Sequence, residues 1–385
     1  MIRYLDSEVK KHFSKYKEVL ILLGPRQSGK TTLLLRIFPD AEYLLIDNEP
    51  VRKLLESYDA NTYRTITKPG GKVIIDESHL LSNPGRMAKI FFDTIPDVQL
   101  ILTGSSSFHL KKGTQESLAG RKIDYNLFPL TFDEYLFQTG LEKNLGFGIL
   151  DSICNKDKLN SIKLYDIKTI LKNILIYGLY PNVINHPQDT MYLKNFVDSI
   201  IFKDILGAGL IENQRVARDL LRLLAYQIGN LINYSELATK LNADQRTIKR
   251  YIEIFEESFL IYRIYPYLNN PRDEVTKSAK IYFMDVGIRN TILDDFKDID
   301  FRPDAGALFE NFIFSEIIKA NTYLRAGYKI HYWRTKQGSE VDLILKKEDE
   351  LYAVEIKMHK ERVNTSFIKR YPNASFKTLT MDTFY

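Results

Sequence analysis

An α/β fold built on a parallel sheet is predicted by three observations. Apolar runs of strand length occur at Val19 to Leu23, Tyr43 to Ile46, Lys72 to Ile75, Gln99 to Leu102 and Ile123 to Leu127. Helical or loop-like sequence separates each run from the next, and that alternation gives a parallel sheet covered on both faces. The first run leads straight into a glycine-containing turn and then a leucine-rich helical pattern, Thr31 to Leu35.

The turn reads Gly24, Pro25, Arg26, Gln27, Ser28, Gly29, Lys30, Thr31, Thr32, which is the spacing G-x-x-x-x-G-K-[ST]. The glycines let successive backbone N–H groups point into one anion cradle, and the helix beginning near Lys30 adds its positive end. The motif is a P-loop, so Gly24 to Thr32 form the expected cradle for ATP. Lys30 is expected to reach the β- and γ-phosphates, and the Thr31 hydroxyl to hold Mg²⁺. A Gly-containing strand-to-helix turn without ligand is the plain alternative.

The third run ends in Asp76 and Glu77, and an acid pair at a strand tip is the partner a P-loop requires. Asp76 steadies Mg²⁺ through its shell, and Glu77 orients or deprotonates the attacking water. The fourth run ends in Thr103, Gly104, Ser105, where a polar side chain would face the γ-phosphate. Ser105 is the expected sensor, with an ordinary Gly/Ser turn as the alternative.

A chain of 385 residues suggests two or three domains. The net charge of +5 permits nucleic-acid binding without arguing for it. Cys154 is the single cysteine, so an intrachain disulfide and a Cys-based zinc site are excluded. The N-terminal MIRYLDSEVKKHF has no signal-peptide core, and no window approaches the ~18 apolar residues of a spanning helix. No membrane association is expected, and a reducing cytoplasm is the expected location.

The strings GPRQSGKTTLL, LTGSSS, SLAGR (Ser117 to Arg121) and FPLTFDEY (Phe128 to Tyr135) resemble a prokaryotic AAA-type ATPase family. Its members carry a C-terminal domain of uncharacterised function, and family-like strings continue here to Ala307 to Phe314. The resemblance implies an AAA-type sheet, with the P-loop strand between the last strand and the sensor strand, in a domain spanning residues 1–139. It also implies that Arg121 stands where an arginine finger would act, either in cis or in trans by completing a neighbour's site in a homo-oligomer. A surface arginine at a helix end is the alternative. The family follows Asp-Glu with Ile-Gln, whereas this chain has Ser78 and His79.

Residues 140–215 read as a helical lid or connector without a catalytic constellation. From Val216 the pattern is a buried helix, a short helix capped by Ser235, a turn at Asn242 and Ala243, a second helix from Asp244 to Glu257, and an apolar ribbon. That order is a winged helix over residues 216–270, with Gln245, Arg246, Lys249 and Arg250 placed to face DNA. Asp244, Glu253, Glu256 and Glu257 share the helix, so phosphate attraction is weak there, and a packing module is the alternative.

Residues 271–385 hold the second chemical signal. SEVDLIL and LYAVEIK alternate around a charged turn, and a turn at Glu348 and Asp349 sets Asp342 opposite Glu355 with Lys357 on the same face. The triad resembles the PD-(D/E)xK site of restriction-endonuclease-like folds, and Glu310 supplies the further helix carboxylate. Paired carboxylates hold Mg²⁺, so Asp342 and Glu355 form a second candidate metal site, and the lysine stabilises developing charge. Lys319, Arg325, Lys329, Arg334 and Lys336 interleave with Tyr323, Tyr328, Tyr332 and Trp333, a pattern suited to a nucleic-acid surface. The expected activity is a Mg-dependent ATPase coupled to nucleic-acid binding, DNA foremost, with metal-dependent cleavage as a further expectation. The alternative is an ATP-driven switch whose C-terminal half is a protein-interaction scaffold.

Overall fold

Val19–Leu23 (β1) is buried along its whole length, as an inner strand of a parallel sheet must be. The computed structural model describes residues 1–104, 118–146, 148–154, 165–200, 211–268, 278–335, 337–359 and 364–385. Ser105 and Lys336 lie outside the described residues. The chain divides into two units, Met1–Pro129 with Glu257–Phe259, and Leu130–Glu256 with Leu260–Tyr385.

In the first unit, Leu5–Lys10 (α1) and His12–Lys15 (α2) precede β1. Lys30–Ile37 (α3), Glu42–Leu45 (β2), Glu49–Leu55 (α4), Ala60–Thr65 (α5) and Lys72–Asp76 (β3) follow it. Pro84–Thr94 (α6), Gln99–Gly104 (β4) and Lys122–Asn126 (β5) complete the unit. The strands are all parallel in the order β2-β3-β4-β1-β5. The P-loop strand therefore lies between the last strand and β4, the order that the sequence resemblance implies. Val19, Ile21, Leu23, Ile75, Leu102 and Phe91 share one core cluster, and Phe91 stacks on Tyr63 with ring centroids 4.5 Å apart.

In the second unit, Phe132–Gln138 (α7), Gly148–Cys154 (α8), Ile167–Tyr177 (α9), Pro181–Ile184 (α10) and Thr190–Ile200 (α11) come first. Gln214–Tyr226 (α12), Tyr234–Leu241 (α13) and Gln245–Glu257 (α14) lead into Ile261–Ile264 (β6) and Lys280–Phe283 (β7), an antiparallel pair. Leu231 forms an isolated antiparallel bridge to Lys280. The cap of α13 is Asn233, whose side chain accepts the Glu236 N–H, rather than Ser235 as its sequence suggests. Both residue types cap well, and Ser235 donates its own hydroxyl to Asn233 at 2.8 Å. Asn242 closes α13 in the left-handed region, as the predicted turn requires.

The chain ends with Val286–Leu293 (α15), Ala305–Tyr323 (α16), Lys329–Arg334 (β8), Glu340–Lys347 (β9), Glu350–Ile356 (β10), Thr365–Arg370 (α17) and Ser375–Leu379 (β11). These strands form a mixed sheet, β11-β10-β9-β8, with β10 and β11 parallel and the other pairs antiparallel. β9 and β10 meet Lys347 to Glu350, so the hairpin turns at Glu348 and Asp349.

The basic and aromatic run does not form one surface. Tyr323, Tyr332 and Trp333 are buried, and Trp333 packs edge-on against Phe367 at 5.1 Å. Lys319 is 1% exposed and paired with Glu316 at 2.9 Å. The core takes the rings because β8 is buried on both faces from His331 to Trp333 and α16 is covered on nearly every face. Among these positions Arg325, Lys329 and Arg334 are exposed.

Candidate functional site

The loop after β1 turns because two positions tolerate only glycine. A Cβ on Gly24 would collide with the Leu127 backbone carbonyl, and Gly29 is left-handed at φ 96°. Gln27 also adopts positive φ, 59°. The loop hands directly to α3, whose first residue, Lys30, is buried. Its ammonium folds back onto the loop and donates to the Gly24 and Pro25 carbonyls at 3.0 and 2.9 Å. Ser28 is fully buried, Arg26 is partly buried, and Gln27 and Thr32 are exposed.

Asp76 is the last residue of β3 and meets the start of α3 directly. Its Oδ2 accepts the Thr31 hydroxyl at 2.7 Å and the Tyr43 hydroxyl at 2.7 Å, while Oδ1 accepts the Thr103 hydroxyl. Burial, reinforced by the Asp76 hydrogen bond, pushes the Tyr43 phenol far above its ordinary range. Glu77 follows in the left-handed region, φ 57°, and its N–H donates to the Thr103 hydroxyl at 3.1 Å. Burial raises the Glu77 carboxyl above its ordinary value; Lys30 opposes that shift and Asp76 adds to it. Thus Lys30, Thr31, Asp76 and Glu77 gather at one end of the sheet. Arg121 lies just before β5 and pairs with Asp93 at 3.1 Å, each about two-fifths exposed.

Sequence reasoning missed three members of this neighbourhood. Arg3 is 4% exposed and donates to the Ser28 carbonyl at 2.9 Å and to the Phe128 carbonyl at 2.7 Å. It therefore ties the N-terminal segment to the loop. Tyr43 and Thr103 hold Asp76. A lone arginine, tyrosine or threonine on an unremarkable stretch carries no spacing signal.

The second unit gathers another charged cluster. Lys357 lies 2.7 Å from Asp342 Oδ2 and 2.9 Å from Glu355 Oε2. The Ile356 N–H donates to Asp342 Oδ2 at 2.8 Å. Glu310 sits on α16, accepts the Tyr282 hydroxyl and faces Lys280 at 3.4 Å. Lys280 also meets Glu340 and lies over the Tyr332 ring at 5.4 Å. Burial raises the Glu355 and Glu310 carboxyls, with Asp342 adding to both. Burial opposes the lysine charge, yet Asp342 lifts Lys357 above its usual value, as Glu310 and Glu340 lift Lys280. Lys280, Tyr282 and Glu340 were not anticipated. Among the described residues, no three His, Cys, Asp or Glu side chains gather closely enough to hold a metal ion.

Gln245, Arg246, Lys249 and Arg250 are exposed at the start of α14. Arg250 pairs with Glu212 at 2.9 Å, and Lys249 lies over the Tyr234 ring at 5.4 Å. No helix among the described residues is long and apolar enough to cross a membrane.

Known proteins resemble the chain in consecutive stretches. Residues 16–136 match the AAA domain family, residues 168–298 a domain of unknown function (DUF8612), and residues 305–379 another domain of unknown function (DUF4143). An uncharacterized protein of Methanocaldococcus jannaschii is 28% identical over 373 residues, 88% of this chain and 76% of that protein. One from Mycobacterium tuberculosis is 25% identical over 358 residues, 91% of this chain and 72% of its own length. Among solved structures, a Walker-type ATPase of Pyrococcus abyssi is 13% identical with a TM-score of 0.48, covering 75% of this chain and 94% of that one. AMPPCP-bound DnaA of Aquifex aeolicus is 18% identical with a TM-score of 0.27, covering 66% of this chain and 86% of that one. A stretch that matches the AAA domain family is thus followed by two stretches that match domains of unknown function.

Proposed function

We propose that this chain is a magnesium-dependent ATPase whose second unit docks nucleic acid. One observation carries the ATPase reading: Thr31 in the first turn of α3 and Asp76 on β3, 45 residues apart, meet at 2.7 Å at the same end of a parallel sheet. A hydroxyl and a carboxylate are hard oxygen donors, and their mutual hydrogen bond is one that a cation can replace, so they fit Mg²⁺. Magnesium bound there supplies charge neutralisation on the terminal phosphates.

The protein's own groups do the rest. Gly24 to Thr32 offer backbone N–H groups to the phosphates, and Lys30 exchanges the Gly24 and Pro25 carbonyls for phosphate oxygens. Glu77 takes or orients the proton of the attacking water, and its raised affinity for protons suits that task. Ser105 reads the γ-phosphate. Arg121 leaves Asp93 to serve as the finger in an assembly of copies of this chain.

The order in the second unit supports a winged helix: α12, the Leu231 bridge, α13, a left-handed turn, α14, then the β6 and β7 ribbon. Gln245, Arg246, Lys249 and Arg250 are the residues that would enter a groove. ATP turnover measured with and without single-stranded and duplex DNA, across salt, tests the coupling. Stimulation that fades steeply with salt, and weakens in Arg246→Glu, supports it. Turnover indifferent to DNA and RNA at low salt would remove it.

A second reading, an ATP-driven switch with a C-terminal interaction scaffold, is favoured by Lys357. The order α16, β8, β9, β10, α17, β11 supports the resemblance to PD-(D/E)xK folds. Lys357 nevertheless occupies both carboxylates that would take the metal. As arranged, Asp342, Glu355 and Glu310 do not fit a second Mg²⁺. Mg²⁺-dependent nicking that disappears in Asp342→Ala, with ATPase intact, would restore cleavage to the account.

A further inference from the structure

We infer that His79 is a positioning residue for Glu77, holding one carboxylate oxygen so that the other faces the attacking water. The inference rests on the reading of Glu77 as the catalytic base. It starts from the backbone. Directly after β3 the chain enters the left-handed region at Glu77 and then a single 3₁₀ turn, Ser78–Leu80. The Leu80 N–H closes that turn on the Glu77 carbonyl at 2.9 Å.

Two contacts fix the turn to the neighbouring strand. The Glu77 N–H donates to the Thr103 hydroxyl at 3.1 Å, and the buried Ser78 hydroxyl donates to the Thr103 carbonyl at 2.7 Å. A positive φ in a non-glycine residue is strained, so these contacts have to hold it. The consequence is a reversal that carries the His79 ring back over Glu77. Its Nδ1 stands 3.3 Å from Glu77 Oε2, with the side chains 11% and 15% exposed.

Oε2 is buried and has no hydrogen-bond partner among the described residues. A buried carboxylate oxygen calls for a donor. The His79 Nδ1, at 3.3 Å, is within reach of it. Once Oε2 is held, the carboxylate has a defined rotamer and presents Oε1. The pair Ser78 and His79, which departs from the Ile-Gln of the resembling family, thereby gains a physical account: Ser78 anchors the turn and His79 supplies the donor. A glutamine at position 79 would carry a donor as well.

Steady-state ATP turnover and nucleotide binding of His79→Ala and His79→Gln test this, with melting curves confirming the fold. His79→Ala is expected to lower kcat about tenfold to a hundredfold, the loss a misplaced catalytic group brings, with nucleotide Kd within about twofold of wild type. His79→Gln is expected to recover most of that loss. A folded His79→Ala with wild-type kcat, or equal impairment in the two variants, overturns the inference. Glu77→Gln separates this from its premise: if it hydrolyses ATP normally, Glu77 is not the base and the parent reading fails. If Glu77→Gln is inactive while His79→Ala is normal, only the role of His79 fails.

Discussion

Removing the Lys319 ammonium should unfold the second unit far more readily than removing the pair it belongs to. Lys319 and Glu316 are 1% and 3% exposed and meet at 2.9 Å. Lys319 also donates to the Leu130 carbonyl at 2.9 Å, while Glu316 accepts the Phe132 N–H at 2.7 Å. Lys319→Met leaves a buried carboxylate with a single donor and a carbonyl with none. Breaking one side of a buried pair costs about 3 to 5 kcal/mol. With a urea slope of about 3 kcal/mol/M, the midpoint falls by about 1 to 2 M. The double variant Lys319→Met with Glu316→Gln removes the orphaned charge and should recover at least half of the loss. Trp333 is the only tryptophan in the chain and is buried in this unit, so its emission reports the transition directly.

The pH dependence has a fixed sign. Burial raises the Glu316 carboxyl and Lys319 opposes it, so the single variant raises it further. A carboxyl that binds its proton more tightly when folded contributes stability below its unfolded pKa and loses it as pH rises through the folded one. Lys319→Met is therefore relatively more stable at pH 5 than at pH 8. An unchanged midpoint, or a double variant no more stable than the single, would refute this description of the pair. A loss of DNA affinity without loss of stability would instead return Lys319 to a nucleic-acid surface.

Further outcomes follow from the nucleotide unit. Gly24→Ala sets a methyl against the Leu127 carbonyl and should cost about 1 to 3 kcal/mol, with loss of ATP binding, read by melting and titration calorimetry. Arg3→Ala frees the Ser28 carbonyl and should weaken ATP affinity about tenfold, because a buried charge-assisted contact is worth about 1.5 kcal/mol or more; competition with a fluorescent nucleotide measures it. His12 is buried between the Tyr125 hydroxyl at 3.0 Å and the Glu18 carbonyl at 2.8 Å, and burial lowers its pKa below 6.5. The unfolded state then takes up the proton first, so stability present above pH 6.5 declines as pH falls through the folded pKa. Melting at pH 7.5 and 5.5 should show the decline, and His12→Gln should flatten it.

Much of the nucleotide unit was legible because its signals are local. Strand-length apolar runs and the glycine spacing mark β1, β3 and the loop, since buried parallel strands need unbroken apolar sequence and phosphate cradles need glycine. The Glu348 turn was legible for a similar reason: two alternating strands leave only one position for it. Residues that act through distance were not. Arg3 reaches Ser28 and Phe128 across the fold, and Tyr43 reaches Asp76 from another strand; neither contact leaves a periodic trace. The basic and aromatic run misleads because composition does not report facing. In β8, Trp333 turns inward while Arg334 turns out, and on α16 the burial of Lys319 is settled by Glu316 and by the Leu130 carbonyl.

The most direct test is single-turnover hydrolysis of ATP with magnesium by wild type and Glu77→Gln, with nucleotide affinity measured alongside. The account predicts equal binding and a rate reduced by about a hundredfold to ten-thousandfold in Glu77→Gln. Equal rates, or a wild-type chain that neither binds nor cleaves the nucleotide, would contradict it.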